Sequence, residues 1–351
     1  MIALQEMTNT TTVFNAPAID GLVFRGFRGP EDYPAMVAVI EGSKEADQLE
    51  TATTVEDIAR DYNHLINSDP YQDMLFVEMR GEVIGYSRVY WWQLANGAYI
   101  YGHFANLLPT WRGQGIRHAM LHHNERRLRE IATRHINSNG RGHAERYFEC
   151  WANKTETHWR ALLTEAGYAP VRYGYLMVRP DLENIPDLPL PDGLEVRPVR
   201  PADYWTIWYA AKEAFRDHWG YNEDEWADTN FENWQESHIF TPEIWQVAWD
   251  GDEVAGMVLN FIDEKENTAY NRKRGYTETI CVRRPWRRKG LARALIARSL
   301  AIHKALGMTE ASLGVDAQNP NGALHLYKSM GFSPVKEGAT FRKSLFEDSR
   351  V

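Results

Sequence analysis

The chain has 351 residues, of which 44% are hydrophobic and 25% charged, and it carries 39 Lys and Arg against 48 Asp and Glu. A chain of this length favours two domains, or one large one, and the composition is typical of soluble globular proteins with packed cores. The formal charge of −9 argues against nucleic acid as the main partner, and no apolar run approaches the roughly 18 residues that a membrane helix needs.

The N-terminus and the two cysteines favour a cytoplasmic protein. The first 15 residues lack a basic region followed by an apolar core, so we expect no secretory signal. Cys150 and Cys281 are far apart, each inside an apolar, strand-like run. We therefore expect buried, reduced thiols, with a disulfide as the alternative.

The predicted elements follow the same order twice. Each half has a short strand, two helices, a hairpin, a strand, a helix, a strand, a helix and a closing hairpin, and this alternation predicts a mixed α/β sheet. The helix pairs are predicted at 30–42 and 55–67 and at 202–217 and 223–237. Later elements of the second half are predicted as strands at 276–282 and 310–315 and helices at 288–306 and 321–330.

Four sequence matches in the same order indicate that one domain is duplicated. The pairs are "VFRGFRGPEDY" with "EVRPVRPADY", "FVEMRGEVIGYSRV" with "QVAWDGDEVAGMVL", "LPTWRGQGIRHAML" with "RRPWRRKGLARALI", and "GYAPV" with "GFSPV". Between the copies, residues 179–193 contain four prolines and are predicted to be an extended linker. We therefore expect an N-terminal extension at 1–20, a first domain at 21–179, a linker at 180–193 and a second domain at 194–351.

A basic turn in the second copy predicts an anion-binding site. Six cations lie between Arg283 and Arg293 around a single glycine, Gly290, just where a predicted helix begins. The first amides of a helix have no internal partners, and a glycine lets a phosphate approach the backbone closely. A solvated basic helix face explains the spacing alone equally well.

Two motifs in the second copy resemble those of the GNAT acetyltransferase superfamily. Residues 287–292, "RRKGLA", fit the signature Q/R-x-x-G-x-G/A, and residues 315–332, "VDAQNPNGALHLYKSMGF", resemble the second conserved block. The resemblance implies two tandem GNAT-like domains, each a mixed, mostly antiparallel sheet flanked by helices. It also implies acetyl-CoA as co-substrate and no metal.

The same resemblance implies particular cofactor-binding residues. The pyrophosphate rests on the turn, which here consists of Arg287, Arg288, Lys289, Gly290, Leu291 and Ala292. The pantetheine arm pairs with the preceding strand, here at Ile280, Cys281 and Val282, and Asn319 contacts the arm. Asn319 followed by Pro320 is also a sound helix cap, and the two roles are compatible.

Tyr327 and Glu278 are the predicted catalytic pair. Family members use a tyrosine at the position of Tyr327 to protonate the leaving thiolate, and a phenol with a pKa near 10 stays protonated at neutral pH. Glu278 lies on the strand before the turn, and strict alternation would place it on the same face as Ile280 and Val282. It is the candidate base for an ammonium acceptor. The alternatives are a tyrosine on the core stripe of the helix and an edge carboxylate paired with an arginine.

The first copy departs from both motifs. Arg117 stands where the signature has Gly or Ala, and its side chain is expected to obstruct the phosphate site. Four residues before Gly167, where the second copy has Tyr327, stands Leu163. His118 and His122 have the spacing of metal ligands, but no carboxylate or cysteine completes a set, so a solvated face is expected. We therefore expect the first copy to be a degenerate, non-catalytic domain.

The expected function is transfer of an acetyl group from acetyl-CoA to the primary amine of a small molecule, by direct attack in a ternary complex. The layout resembles two-copy family members in which one half is active on an amino-sugar conjugate. Acidic residues interleaved with tryptophans at 215–238 suit a cationic acceptor, or form an ordinary amphipathic helix. A CoA-binding regulator and an enzyme for a longer acyl group remain the alternatives. Neither nucleic acid nor a membrane is expected as a partner.

Overall fold

The structure, a computed structural model, describes residues 10–139, 144–319 and 322–346. It divides into two compact units, one formed by Met1–Val171 with Ala339–Val351 and the other by Arg172–Gly338. The predicted division near residues 179 and 194 differs from these bounds, because two strands supply residues to both units. These strands are β6 (Ala169–Arg179) and β12 (Ser333–Ser344).

The first unit follows the predicted order of elements as far as its last helix, but in both halves the predicted closing hairpin is one continuous strand, β6 or β12. Its helices and its complete strands are β1 (Leu22–Arg25), α1 (Tyr33–Asp47), α2 (Val55–Asn63), α3 (Pro70–Asp73), β2 (Met74–Met79), β3 (Glu82–Gln93), β4 (Tyr99–Leu107), α4 (Ile116–Asn139), β5 (Arg146–Asn153) and α5 (Thr157–Glu165). Strands β1 to β4 pair antiparallel in sequence order, and β5 pairs parallel with β4. The end of β12 follows β5 in the strand order.

The second unit repeats this arrangement. Its elements are β7 (Glu195–Val196), α6 (Tyr204–Phe215), α7 (Asp228–Gln235), β8 (Gln246–Asp250), β9 (Glu253–Ile262), α8 (Glu264–Ala269), β10 (Arg274–Val282), α9 (Leu291–Ala305), β11 (Glu310–Asp316) and α10 (Ala323–Ser329). Strands β7 to β10 pair antiparallel, β11 pairs parallel with β10, and the end of β6 pairs antiparallel with β11. Each unit is thus a mixed, mostly antiparallel sheet with helices, as predicted.

The sheet of the second unit has a buried cluster on each face. One cluster joins α9 and α10 to the sheet and includes Leu291, Leu295 and Tyr327. The other joins α6 to the sheet and includes Ile207 and Leu259. Any group between β10 and β11 therefore lies between two helical layers.

The predicted linker is extended but is not a free connector. Residues between Arg179 and Glu195 form no helix or strand, as four prolines predict. Leu182, however, is only 3% exposed, and Ile185, Leu188 and Leu190 pack against the α9 side of the second unit. The segment belongs to the second unit, because its apolar side chains complete that core.

Helix bounds shift from the predicted ones where the backbone turns left-handed. The helix predicted from residue 288 begins at Leu291, because Arg288 and Gly290 have φ values of 60° and 87°. The helix predicted at 321–330 spans Ala323–Ser329, and its N-cap is Gly322 rather than the predicted Asn319. The predicted first residue, 321, and Pro320 lie outside the described residues.

The cysteine prediction is confirmed, since Cys150 and Cys281 are both free and buried. Across the described ranges, no helix combines the length and the apolar character that a bilayer crossing requires.

Candidate active site

A β-bulge in β10 opens a gap between the two parallel strands of the second unit. Pairing with β9 runs from Gly275 to Glu278 and resumes only at Cys281, and Thr279 between them has a φ of 47°. The recorded pairing of β10 with β11 ends at Tyr276, opposite Ser312. Beyond that point β11 continues to pair with β6 while β10 turns away. The bulge therefore leaves a groove between the carboxyl ends of β10 and β11.

The same bulge overturns the prediction that Glu278 shares a face with Ile280 and Val282. Glu278 stands opposite Leu259, and directly opposed residues point to the same face of a sheet. Leu259 belongs to the cluster on the α6 side, whereas Ile280 and Val282 pack against the α9 side. Simple alternation fails here because the bulge inserts an extra residue.

Glu278 lies at the groove, and the pKa of its carboxyl is raised. Its side-chain Oε1 accepts a hydrogen bond of 2.9 Å from the backbone N–H of Gly314 on β11. Burial raises the pKa of this carboxyl to about 7, although the Gly314 hydrogen bond favours the ionised form. Among the described residues no cation pairs with Glu278. The carboxylate is therefore a base of suitable strength at neutral pH, and the alternative of an arginine-paired edge residue does not hold.

Tyr327 approaches the groove from the opposite layer. It is 6% exposed, lies on α10 and packs edge-on against Phe332 at a centroid distance of 6.4 Å. Burial, followed by the nearby charges of Glu278 and Cys281, raises the pKa of its phenol well above the usual value. The hydroxyl thus remains a hydrogen-bond donor at every physiological pH. Its core packing and its position near Glu278 coexist, so the two predicted roles are compatible.

The turn before α9 presents uncapped backbone amides. Gly290 is the N-cap residue of α9 and supplies no side chain to the first turn of the helix. A Cβ placed on Gly290 would meet no described atom within 4 Å, so its surface is open. The left-handed backbone at Arg288 and Gly290 turns this segment around an open space of the kind that binds phosphate.

The cations of the turn fall into two groups. Arg283 and Arg284 form ion pairs with Glu213 and Asp217. The remaining exposed cations have no side-chain partner among the described residues, and they are Arg288, Lys289 and Arg293. A doubly charged pyrophosphate would thus meet free amides together with unpaired positive charge.

The side chain of Arg287, a predicted cofactor-binding residue, is engaged within the protein. Its guanidinium donates to the carbonyl oxygens of Val282 at 2.9 Å and Ala214 at 3.2 Å, and it pairs with Asp217 at 2.7 Å. These bonds leave the side chain committed to the protein. The guanidinium of Arg287 therefore fixes the turn against the end of β10.

The other predicted cofactor-binding residues lie around the groove. Leu291 is buried under the first turn of α9, and Ala292 is half-buried beside it. Cys281 faces the α6 layer, and burial raises the pKa of its thiol to about 12, which makes it a poor nucleophile. Asn319 follows β11, and its N–H bonds the carbonyl of Asp316 at 3.1 Å.

In the first unit, the equivalent strand is regular. Strand β4 pairs with β3 without a shift, from Gly85 opposite Leu107 to Gln93 opposite Tyr99. Gly256 on β9 lies opposite Val282 on β10, and Gly85 on β3 lies opposite Leu107 on β4, so the two pairs are equivalent. Three residues further along β9, Leu259 lies opposite Glu278. Three residues further along β3, Arg88 lies opposite Phe104. A phenylalanine thus occupies the position of the candidate base.

Side chains fill the first unit's counterpart of the cofactor site. Arg117 turns inward, donates to the carbonyl of Ala105 on β4 at 2.7 Å and lies 4.5 Å from the ring centre of Trp159. The Gly113 amide donates to His158 Nε2 at 3.2 Å, and Pro17 lies 3.8 Å from where a Cβ of Gly115 would stand. Arg117 was expected to obstruct the phosphate site; it lies instead beneath the turn, against the strand that would pair with pantetheine. Leu163, at the tyrosine position, is fully buried.

The left-handed turn itself is repeated in both units. Gly113 and Gly115 have φ values of 75° and 81°, close to those of Arg288 and Gly290. Arg112 bonds the carbonyl of Leu107 at 3.1 Å and forms a bidentate pair with Asp47. The duplication therefore extends to individual contacts.

The sequence analysis counted Asp217 among the acidic residues of 215–238 and missed its ion pair with Arg287 of the turn. A usable signal was present, because "KEAD" at 44–47 and "KEAFRD" at 212–217 both end in the aspartate that pairs with the turn arginine. The segment at 215–238 otherwise buries Trp226, whereas Trp219 is 40% exposed. The tryptophans of this segment therefore divide between core and surface.

Comparison with known proteins identifies the family of the second unit. Residues 208–332 match the sequence model of the acetyltransferase (GNAT) family, and this part of the chain is a domain of that family. Within the class, the chain is 29% identical over 189 residues to a mycothiol acetyltransferase of Salinispora tropica. That alignment covers 52% of this chain and 59% of the relative, so it spans less than two thirds of the relative's length.

Solved structures confirm the fold over the whole chain. A GCN5-related N-acetyltransferase from Sphaerobacter thermophilus is 25% identical with a TM-score of 0.68, covering 93% of this chain and 96% of that one. A tandem GNAT protein from the clavulanic acid biosynthesis pathway shares the fold at 14% identity, with a TM-score of 0.64 and coverage of 92% and 98%. The expected tandem GNAT architecture is confirmed. The tandem layout of the sequence also resembles mycothiol synthase, in agreement with the curated relative.

Proposed function

We propose that the protein is an N-acetyltransferase that moves an acetyl group from acetyl-CoA to the primary amine of a small molecule, with its active site in the second unit. One observation carries the proposal: the carboxyl of Glu278, whose pKa burial raises to about 7, lies close enough to Tyr327 to help raise the pKa of its phenol. Only the second unit has this pair, since Phe104 and Leu163 replace it in the first.

The residues around the groove fit acetyl-CoA. The amides at the start of α9, which no side chain caps, suit a pyrophosphate, as do Arg288, Lys289 and Arg293, which have no side-chain partner in the part of the chain that the structure describes. The bulged segment around Ile280 is not engaged by β9 between Glu278 and Cys281, so its backbone is available to a pantetheine amide. Acetyl-CoA supplies the activated acetyl group as a thioester.

Each catalytic group then has one task. Glu278 accepts the proton that the ammonium acceptor loses, directly or through water, so that the nitrogen attacks the thioester carbonyl. The C–N bond forms, the C–S bond breaks, and the sulfur leaves as a thiolate. Tyr327 donates a hydrogen bond to that sulfur, and the second proton, which the nitrogen loses as the amide forms, completes the free thiol. Glu278 releases the first proton to solvent. A cysteine intermediate is disfavoured, because burial holds Cys281 in the thiol form.

A thiol-release assay across a panel of primary amines tests the proposal. We expect acetyl-CoA to bind and free thiol to appear with at least one small amine, and this release to fall about 100-fold in Glu278→Gln. Arg117→Met in the first unit is the matched control, because it removes a buried cation and keeps the volume. It should leave the rate unchanged within about twofold.

Other results would favour the alternatives. Binding of acetyl-CoA without release from any amine supports a CoA-binding regulator. Faster release from a longer acyl-CoA supports a different acyl donor. Loss of activity in Arg117→Met with full activity in Tyr327→Phe would assign catalysis to the first unit.

A further inference from the structure

The first unit has a cation on the sheet face where the second unit has its candidate base. In the second unit, Leu259 lies opposite Glu278. At the equivalent pair of the first unit, Arg88 lies opposite Phe104. An apolar residue facing an acid is thus replaced by a cation facing an apolar residue. The sign of the charge is reversed, so this face of the first unit suits an anion where the second unit suits a cationic amine.

The guanidinium of Arg88 lies among aromatic rings. Its Cζ lies 5.1 Å from the ring centre of Tyr62 on α2, 5.5 Å from that of Tyr90 and 5.7 Å from that of Phe104. Burial raises the pKa of the Tyr62 phenol, and the charge of Arg88 opposes that shift, so the hydroxyl lies near the cation. The side chain of Arg88 is half-buried, and its guanidinium therefore lies at the edge of the aromatic layer rather than inside the core.

Arg88 has no ion-pair partner in the described part of the chain. Its Nε is fully buried and, within the described residues, has no hydrogen-bond acceptor. A buried donor without an acceptor is costly, and a positive charge without a counter-charge adds to that cost. A carboxylate that pairs with the guanidinium would compensate the charge.

Next to Arg88, two aromatic rings pack over a glycine. Tyr90 lies opposite Gly102, and a Cβ on Gly102 would stand 2.7 Å from the ring of Tyr90 and 2.8 Å from that of Trp92. The rings of Tyr90 and Trp92 are nearly parallel, with centroids 5.7 Å apart, and both side chains are half-buried. They form an aromatic surface beside the cation, against which a planar ligand can pack.

The second unit fills the equivalent place with its own side chains. Its next opposed pair is Phe261 with Tyr276, and these two rings stack with their centroids 4.7 Å apart. The hydroxyl of Tyr276 is bonded to Glu266 and Arg272, so the ring is held in place. A cation beside an aromatic surface that packs over a glycine is therefore specific to the first unit.

The other border of the aromatic surface is electrically balanced. Gly102 lies beside Glu149 of β5, and Glu149 accepts from Arg342 Nε at 2.6 Å. Burial raises the pKa of the Glu149 carboxyl, and the charge and hydrogen bond of Arg342 lower it. Of the three charges of Arg88, Glu149 and Arg342, only that of Arg88 has no partner of opposite sign in the described ranges. The three sum to one positive charge, which attracts an anion.

We propose that this face of the first unit, formed by Arg88, Tyr90, Trp92 and Phe104, binds an aromatic carboxylate. The carboxylate pairs with the guanidinium of Arg88, and the ring of the ligand packs against Tyr90 and Trp92. A primary ammonium is disfavoured there, because it would meet a cation and no base. The site is separate from the proposed acetyl-transfer site, since all of its residues belong to the first unit.

Calorimetric titration of the full chain with indole-5-carboxylate tests the site. We expect one molecule to bind per chain, with a dissociation constant of about 1 mM or lower. Indole lacks the carboxylate and cyclohexanecarboxylate lacks the aromatic ring, and each should bind at least about tenfold more weakly.

Arg88→Met tests the ion pair. It removes the charge and keeps most of the side-chain length, so the affinity for indole-5-carboxylate should fall about tenfold or more, to that of indole. Arg88→Lys separates the charge from the fold, because it keeps the charge and should recover part of the lost affinity. Trp92→Leu should weaken the binding of indole-5-carboxylate and of indole alike, since it removes the aromatic surface.

Arg160→Met is the matched control. The Arg160 guanidinium also lies over a ring of the first unit, 5.1 Å from the centre of Phe341, and its Nη1 is also buried without a partner among the described residues. Phe341 precedes Arg342 on β12, so it points to the opposite face of the sheet. The control should leave the affinity for indole-5-carboxylate within about twofold of wild type.

Four outcomes overturn the site. Indole that binds as tightly as indole-5-carboxylate contradicts the ion pair, and so does an affinity that Arg88→Met leaves unchanged. An equal loss in Arg88→Met and Arg160→Met would show only the effect of removing a cation from the first unit. No binding of indole-5-carboxylate at about 10 mM contradicts the proposal outright and leaves the proposed acetyl transfer untouched.

Discussion

At the scale of single residues, the second unit keeps an ionisable carboxyl in a place where ionisation is costly. Burial raises the pKa of Glu278 to about 7, and the only hydrogen bond recorded for its carboxyl within the described residues comes from the Gly314 amide. A base with this pKa is half ionised near neutral pH, which is where proton transfer from an ammonium group is most effective.

The pH profile of the reaction should report this carboxyl. We expect kcat/KM to fall about tenfold per pH unit below pH 7, because protonation of Glu278 removes the base. In Glu278→Gln this limb should vanish, leaving only the dependence that comes from the amine itself. A profile that is identical in the two proteins would show that Glu278 is not the base.

Glu278 should also limit stability above neutral pH. The folded pKa lies above the ordinary value of 4.5, so between about pH 4.5 and 7 the folded protein binds more protons than the unfolded one, and stability falls as pH rises. Glu278→Gln keeps an oxygen for the Gly314 amide and removes the charge. At pH 8 we expect the variant to be more stable by about 1–3 kcal/mol in chemical denaturation, with little difference at pH 4.

Tyr327 supplies a donor rather than packing alone. Tyr327→Phe keeps the ring against Phe332 and removes the hydroxyl. We expect kcat to fall by about 10- to 100-fold, while the calorimetric affinity for acetyl-CoA and the melting temperature stay close to wild type. A large loss of stability with unchanged kcat would assign the hydroxyl a purely structural role.

At the scale of elements, two backbone features shape the candidate site of the second unit, and only one of them could be predicted from the sequence. The glycine turn was predictable, because Gly290 and the cations around it form a recognisable pattern. The bulge in β10 was not, because Thr279 in a left-handed conformation carries no residue signal; alternation therefore placed Glu278 on the wrong face. Tertiary pairing, not local propensity, decided that register.

The two turns provide an internal control for phosphate binding. Gly290→Ala and Gly115→Ala each place a Cβ on a left-handed residue, with φ of 87° and 81°, at a cost of about 1–2 kcal/mol. Both should lower the melting temperature. Only Gly290→Ala should also weaken acetyl-CoA binding, by about tenfold, because His158 and Pro17 already contact the turn of the first unit. Equal loss of affinity in both variants would contradict the assignment.

At the scale of the whole molecule, the chain is a duplication in which the copies have diverged in what fills the cofactor site. The tandem order, the mixed sheets and the buried free cysteines followed from the sequence. The division of β6 and β12 between the two units could not be predicted from the sequence. Prolines indicate where a helix is excluded, but they do not determine which strands pair. The sequence predicts that Arg117 is incompatible with the motif. It does not predict the position of the side chain under the turn, because that position depends on contacts with Trp159 and Ala105.

Calorimetric titration of the full chain with acetyl-CoA tests the central claim most directly. Because Arg117, Trp159, His158 and Pro17 fill the first unit's site, we predict that one chain binds a single acetyl-CoA, and that Arg117→Met does not change this ratio. Two molecules bound per chain, or one that Gly290→Ala leaves intact and Gly115→Ala abolishes, would contradict the account.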